Sequence, residues 1–159
     1  MISVRVATTA EASLVVEIRE RCFASVRDVY RPISDRQANP LSLPRERLDA
    51  IASINKIDAG VIGLYNTEKT LRVIGLGVLP TYRRQGIARQ LLQFAEQIAK
   101  SREQDTIELS TIAETGNHEW FQQQGFSVIE RRVADWCLGP CGETVHELEM
   151  RRGLSPGLA

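Results

Sequence analysis

No run of apolar residues in this chain is long enough to cross a bilayer, which sets aside a helical membrane protein. No basic stretch with an apolar core precedes the first alternating segment, so no secretion signal is expected and the cytoplasm is the expected compartment. Neither sign of charge dominates. The 20 Lys and Arg residues are matched by 20 Asp and Glu, leaving no general field for nucleic acid or an anionic membrane. Cysteine is scarce: Cys22, Cys137 and Cys141 are an odd set in a chain too large to depend on disulfides. Cys137, Cys141 and His146 fit no zinc-ligand spacing, so no metal site is expected. Two phosphate loops are also missing. There is no Gly-Lys-Ser/Thr triplet, and Gly75-Leu76-Gly77 meets Pro80 where a dinucleotide fingerprint needs its third glycine.

What is present suits one compact, soluble domain: 159 residues, 43% hydrophobic and 25% charged. We expect the domain to occupy residues 1–152, with a mobile tail over 153–159. Ser3 to Val6 alternate as a strand, and Thr8-Thr9-Ala10-Glu11 reads as a capping box. Val15, Ile18, Cys22, Val26 and Val29 recur at helical spacing. Pro32, Pro40 and Pro44 make Arg31 to Arg45 mostly loop. A short helical start from Arg45, a strand from Ala50 and a turn over Asn55 to Asp58 are expected next. Gly60–Tyr65 and Leu71–Val78 form a hairpin around Asn66-Thr67-Glu68-Lys69. A central helix starts at Ile87, a strand covers Thr106–Ser110, and Asn117–Gln124 is a helix stopped by Gly125. Phe126–Arg132 and Val145–Met150 close the sheet around a loop over Trp136–Glu143. No internal repeat is seen.

The start of the central helix breaks local rules. A helix N-terminus prefers a Ser, Thr, Asp or Asn cap and acidic neighbours, because its first N–H groups are unpaired and partially positive. Here it holds Arg83, Arg84 and Arg89 and no acid. A phosphate or pyrophosphate seated on those N–H groups resolves the conflict. Gly86 and Ala88 keep the approach slim.

Val78, Pro80, Tyr82, Arg83, Gly86 and Ala88 resemble the signature of the GNAT superfamily of acyl-CoA-dependent N-acyltransferases, Gln/Arg-x-x-Gly-x-Gly/Ala after a strand ending near Val-x-Pro. Trp120 to Phe126 is similar to the family's second signature, aromatic-x-x-x-Gly-Phe. The family's order of elements can be followed from Ser3 to about Arg151. The resemblance implies an α/β fold with a mixed, mainly antiparallel sheet of about seven strands flanked by helices. It implies acetyl-CoA as co-substrate and direct attack by an amine in a ternary complex. Arg83, Arg84, Gln85, Gly86, Ile87, Ala88 and Arg89 would then hold the pyrophosphate, and Leu76 to Val78 would offer a backbone N–H to the thioester oxygen. Asn117 either binds the pantetheine arm or caps its helix; the commonest family spacing falls at Glu114 instead.

Two family features are absent. The usual glutamate base falls at Arg72, and the usual tyrosine acid at Phe121. Glu108 is the first substitute base, followed by His118 and Glu114. Without a strong base the acceptor's own basicity matters. A lysine-like amine of pKa ~10.4 costs about 4.6 kcal/mol to deprotonate at pH 7, against about 1 kcal/mol for a peptide α-amine. The acceptor, a small-molecule or peptide amine, is expected between Tyr30, the Arg31–Arg45 loop and the Trp136–Glu143 loop. Arg31, Arg36 and Arg45 are available there for a carboxylate. A longer acyl donor, a catalytically silent coenzyme A-binding module and a homodimer built on an exposed sheet edge stay open.

Overall fold

The computed structural model describes residues 1–33 and 46–154. The expected loop residues Arg36, Pro40, Pro44 and Arg45 lie outside them. Thr8 N–H donates to Glu11 Oε1 at 3.1 Å, closing the expected capping box ahead of a single 3-10 turn. Helix α1 then runs Ala12–Phe23 and buries Val15, Ile18 and Cys22 at helical spacing. It ends earlier than the apolar pattern suggests. Val26 falls in a 3-10 turn, Ala24–Asp28, and Val29 follows it.

Strands β1 (Ile2–Val6), β2 (Arg31–Pro32), β3 (Leu48–Ile54), β4 (Ile57–Asn66) and β5 (Thr70–Val78) follow in chain order around α1. Helix α2 (Ile87–Ser101), strand β6 (Thr106–Ile112) and helix α3 (Asn117–Gln123) come next. β7 (Ser127–Val133), β8 (Cys137–Leu138) and β9 (His146–Gly153) complete the chain. Seven strands form one sheet in the order β1-β3-β4-β5-β6-β9-β7, while β2 and β8 pair as a separate ribbon. Within the large sheet every pairing is antiparallel except β5 with β6. This is the mixed, mainly antiparallel sheet of seven strands that the resemblance implies.

Three boundaries differ from expectation. Among the described residues no helical start precedes β3; Leu48 and Asp49 already pair with Leu64 and Gly63, so the neighbouring strand decides that stretch. The turn after β3 is tight, with Asn55 and Lys56 both left-handed, a hairpin geometry matched to strand twist. At the far end β9 runs through Gly153, and Leu154 N–H donates to Asp105 O at 2.7 Å. The sheet therefore extends past the expected boundary at residue 152.

Helix α2 covers one face of the sheet. Its Ile87, Leu91, Leu92, Ala95 and Ala99 pack with Ile62, Leu64, Leu71, Ile107, Leu109 and Met150. On the other face α1 sets Val15, Ile18 and Cys22 against Ile51 and Val61. Each buried Val, Leu, Ile or Met among these contributes about 1.5–3 kcal/mol by leaving water, so the two layers fix where α2 begins relative to β5.

Candidate active site

β5 and β6 part company. They are paired only from Thr70 to Arg72 against Thr106 to Glu108. Beyond that point β6 continues along β9 as far as Ile112, and β5 continues along β4 to Val78. The result is a fork that opens toward the start of α2. Leu79 N–H is given to Ala59 O on β4 at 2.8 Å. Because direction alternates residue by residue, the N–H groups of Val78 and Leu76 point the other way, into the fork. A bulge in the β4–β5 pairing lies beside Gly75, whose φ of +63° only glycine adopts without strain.

At the mouth of the fork, Pro80–Tyr82 makes one 3-10 turn and the chain enters α2 through Gly86, at φ +87°. Arg84 is also left-handed, at φ +63°, which costs a non-glycine residue roughly 1–2 kcal/mol. Such strain concentrates at sites that need the conformation. Six consecutive N–H groups, from Arg84 to Arg89, meet no acceptor among the described residues. The first turn of α2 contains no acid, and neither Arg84 nor Arg89 is ion-paired among the described residues. Bare donors, a positive helix end and two guanidinium groups without ion pairs among the described residues have the chemistry to hold an anion.

Arg83 is the exception within that stretch. Its Nε donates to Val78 O at 3.1 Å and its Nη2 to Cys22 O at 3.0 Å. The side chain thus turns away from the helix start and ties the end of β5 to α1.

At the crotch of the fork stands Arg72, where the resemblance expects a base. It grips Glu149 on β9 with both terminal nitrogens and donates to Ser110 Oγ at 2.5 Å. Ser110 Oγ in turn donates to Glu149 Oε2 at 2.6 Å. Burial pushes the Glu149 carboxyl up, but the hydrogen bonds from Arg72 and Ser110 win and hold it below the usual range. The hydrogen bond to Glu149 likewise raises Arg72. Position 72 is therefore a staple across β5, β6 and β9, not a proton acceptor. No local pattern marks Glu149 as its partner, since they stand 77 residues apart.

Glu108 pairs with Arg151 at 2.7 Å and lies 3.7 Å from Arg72, at the same crotch. His118 sits in the first turn of α3, and its Nδ1 is enclosed with no partner among the described residues. A buried ring nitrogen of this kind can be satisfied by a water. Glu114 accepts from His146 N–H at 2.7 Å and contacts His146 Nδ1 at 2.9 Å. Partial burial works against ionisation of Glu114, and the bonds from His146 overcome it, lowering its pKa. Asn117 opens α3 but is not its cap. The residue before the helix is Gly116, and Asn117 N–H is met by Thr115 Oγ1 at 3.2 Å. The Asn117 side chain is exposed and has no hydrogen bond among the described residues.

Of the segments expected around the acceptor, those among the described residues touch one another. Arg31–Pro32 pair with Leu138–Cys137, and Ile33 N–H donates to Trp136 O at 2.9 Å. Tyr30 meets Trp136 edge to face at 5.6 Å, and Trp136 Nε1 donates to Glu147 Oε2 at 2.8 Å. Phe121 is packed edge to face between Trp120 and Phe126, so no hydroxyl is supplied from that position. An open depression of about 410 Å³ lined by Asn66, Thr67, Glu68, Arg102 and Gln104 lies at the opposite end of β5 from the helix start.

The family model for the acetyltransferase (GNAT) family matches residues 14–126. No curated protein matches the chain. Among solved structures, the chain is similar to the ribosomal-protein-S18-alanine N-acetyltransferase from Escherichia coli. That match has a TM-score of 0.77 over 100% of this chain and 99% of the other, at 17% identity. A GNAT-family acetyltransferase from Staphylococcus aureus gives 0.74 over 98% and 100%, at 18% identity. One from Elizabethkingia anophelis, solved with acetyl-CoA bound, gives 0.71 over 96% and 98%, at 16% identity. At these identities the likeness is one of fold.

Proposed function

The chain belongs to the acetyltransferase (GNAT) family, and from that premise we propose that it moves an acetyl group from acetyl-CoA to a primary amine of a small molecule or peptide. The observation that carries this reading is the run of six unpaired N–H groups from Arg84 to Arg89, placed at the mouth of the β5–β6 fork. The residues fit the co-substrate. The N–H groups of Arg84, Gln85, Gly86, Ile87, Ala88 and Arg89 suit a diphosphate, with the Arg84 and Arg89 guanidinium groups beside it. Arg83 acts by fixing the end of β5. The free amide side chain of Asn117 suits a pantetheine arm.

Bound acetyl-CoA supplies a thioester open to attack by an amine. Val78 and Leu76 supply N–H donors on the forked edge of β5, aimed where a carbonyl oxygen gains charge; fixed donors of this type are worth several kcal/mol. The attacking nitrogen must lose a proton. Glu108, at the crotch, and His118, at the start of α3, are the groups we assign to that task. With Arg72 and Phe121 in the usual base and acid positions, the preferred acceptor is an amine of low pKa.

The test is incubation with acetyl-CoA and a panel of amines at several pH values, following release of free thiol. Release that depends on an amine supports transfer. The engagement of Glu108 by two arginines favours one other reading, a silent module that retains coenzyme A. Tight retention with no thiol released from any amine would establish that reading instead. Glu108→Gln separates the bases: a steep loss of rate with coenzyme affinity intact supports Glu108, and an unchanged pH–rate profile removes it.

A further inference from the structure

Arg19 lies across the sheet on the face opposite α2. Its side chain crosses β5 at Gly75, where an added Cβ would stand 2.4 Å from its Nε. It continues over Gly63 on β4, where a Cβ would stand 3.3 Å from Nη2, and reaches Asp49 Oδ1 on β3 at 3.2 Å. Glycine at both positions is what lets a guanidinium lie this close to the strands. Gly75 lies beyond Arg72, the last residue of β5 paired with β6, so the path runs just past the crotch of the fork.

Asp49 does not serve Arg19 alone. Arg47 Nε donates to both of its carboxylate oxygens at 3.1 Å. Two guanidinium groups therefore share one carboxylate, and the cluster holds an excess positive charge among the described residues. The Arg19–Asp49 pair has a structural use, since it pins α1 to β3. Arg47 adds nothing to that pinning, because it stands two residues from Asp49 on the same chain segment. Its two terminal nitrogens have no acceptor among the described residues, and the side chain keeps 24% of its surface in contact with solvent. That edge has the fork geometry that takes a carboxylate by two parallel hydrogen bonds.

We propose that the Arg19–Asp49–Arg47 cluster is the subsite for a carboxylate on the acceptor, so that the substrate is an amino acid or a similar amine that also carries a carboxylate. The inference rests on the acetyl-transfer reading. Arg47 binds the carboxylate directly, and Arg19 holds Asp49 so that the Nη edge of Arg47 stays open. The amine then points past the Arg19 side chain toward the forked edge of β5.

The test uses the full chain with acetyl-CoA and free amino acids, each compared with its own carboxamide, following thiol release. The carboxamide has the less basic amine, so the chemical bias runs against the expected result. The free acids should nevertheless be favoured by roughly tenfold to a hundredfold in kcat/KM, the value of a charge-assisted pair. Arg47→Gln should raise KM for the acids alone, leaving kcat, the carboxamides and acetyl-CoA affinity unchanged. Arg47→Lys should recover part of the loss, and retained acetyl-CoA binding in both variants confirms that they fold. Turnover in which carboxamides match acids, or a preference that survives Arg47→Gln, overturns this inference and leaves acetyl transfer standing. Absence of thiol release from every amine overturns the transfer reading, and this inference with it.

Discussion

Gly86 occupies a conformation, φ +87°, that an L side chain enters only at a cost of roughly 1–2 kcal/mol. Space inside the chain is not the obstacle, since an added Cβ would meet only Ile2 Cδ1, at 4.0 Å. Gly86→Ala should therefore lower Tm by a few degrees, about the shift that 1 kcal/mol produces in a domain of this size. Its larger effect should be on coenzyme A, with Kd raised at least roughly tenfold as measured by calorimetry, because the new methyl sits where a ligand must approach. An unchanged Kd would remove Gly86 from the site. The cysteines allow a second check. Burial pushes the Cys22 thiol up to about 11 and the Cys137 thiol up to about 12, whereas Cys141 is exposed. A thiol reagent at pH 8 should modify Cys141 quickly and the other two only after unfolding. Two fast thiols would contradict the buried placement. Arg83 shows the limit of reading single residues. Its place in the motif was plain in the sequence, but its direction depends on Cys22 O, 61 residues away.

At the level of elements, α2 was legible because its apolar spacing and its faulty cap are both local signals. Ile87, Leu91, Leu92, Ala95 and Ala99 repeat on one face, and nothing acidic answers the helix dipole. Arg84→Ala combined with Arg89→Ala should weaken coenzyme A binding and flatten its dependence on salt, since two exposed charges leave the anion site. Secondary structure should be unaffected, as neither guanidinium is ion-paired among the described residues. Equal salt dependence in variant and wild type would place the diphosphate elsewhere. The fork had no such local signal. β5 reads as one apolar run from Leu71 to Val78, and only the pairing shows that its second half loses a partner. For the same reason Arg72 looked like a missing base, when it is the staple that holds the fork's crotch.

Across the whole molecule, arginine–carboxylate pairs join elements distant in sequence, and their response to acid has a definite sign. Arg5 joins β1 to Asp58 and Glu11, Arg152 joins β9 to Glu96, and Arg72 joins β5 to Glu149. All four carboxyls sit below their ordinary values. Hydrogen bonds from Arg5 lower Asp58 and Glu11; for Glu96 and Glu149, burial opposes the shift and their bonded partners outweigh it. A carboxyl depressed by folding stabilises the protein above its unfolded pKa, and that contribution is lost as pH falls through the folded value. The chain should hold its stability near neutrality and lose it below about pH 4.5, the ordinary glutamate value. Glu149 is the member of this set to test, because it is only 9% exposed and its removal leaves Arg72 without its main partner. Breaking a fully buried pair costs about 3–5 kcal/mol; with Arg72 still 23% exposed, about 2 kcal/mol is expected for Glu149→Gln at pH 7. Wild type should then approach the variant as acid protonates Glu149, so the gap in urea midpoint narrows as pH falls below about 4.5, the ordinary glutamate value. A gap of constant size across that range would mean that Glu149 contributes by packing and not by charge, and the staple at the crotch of the fork would have to be reassigned.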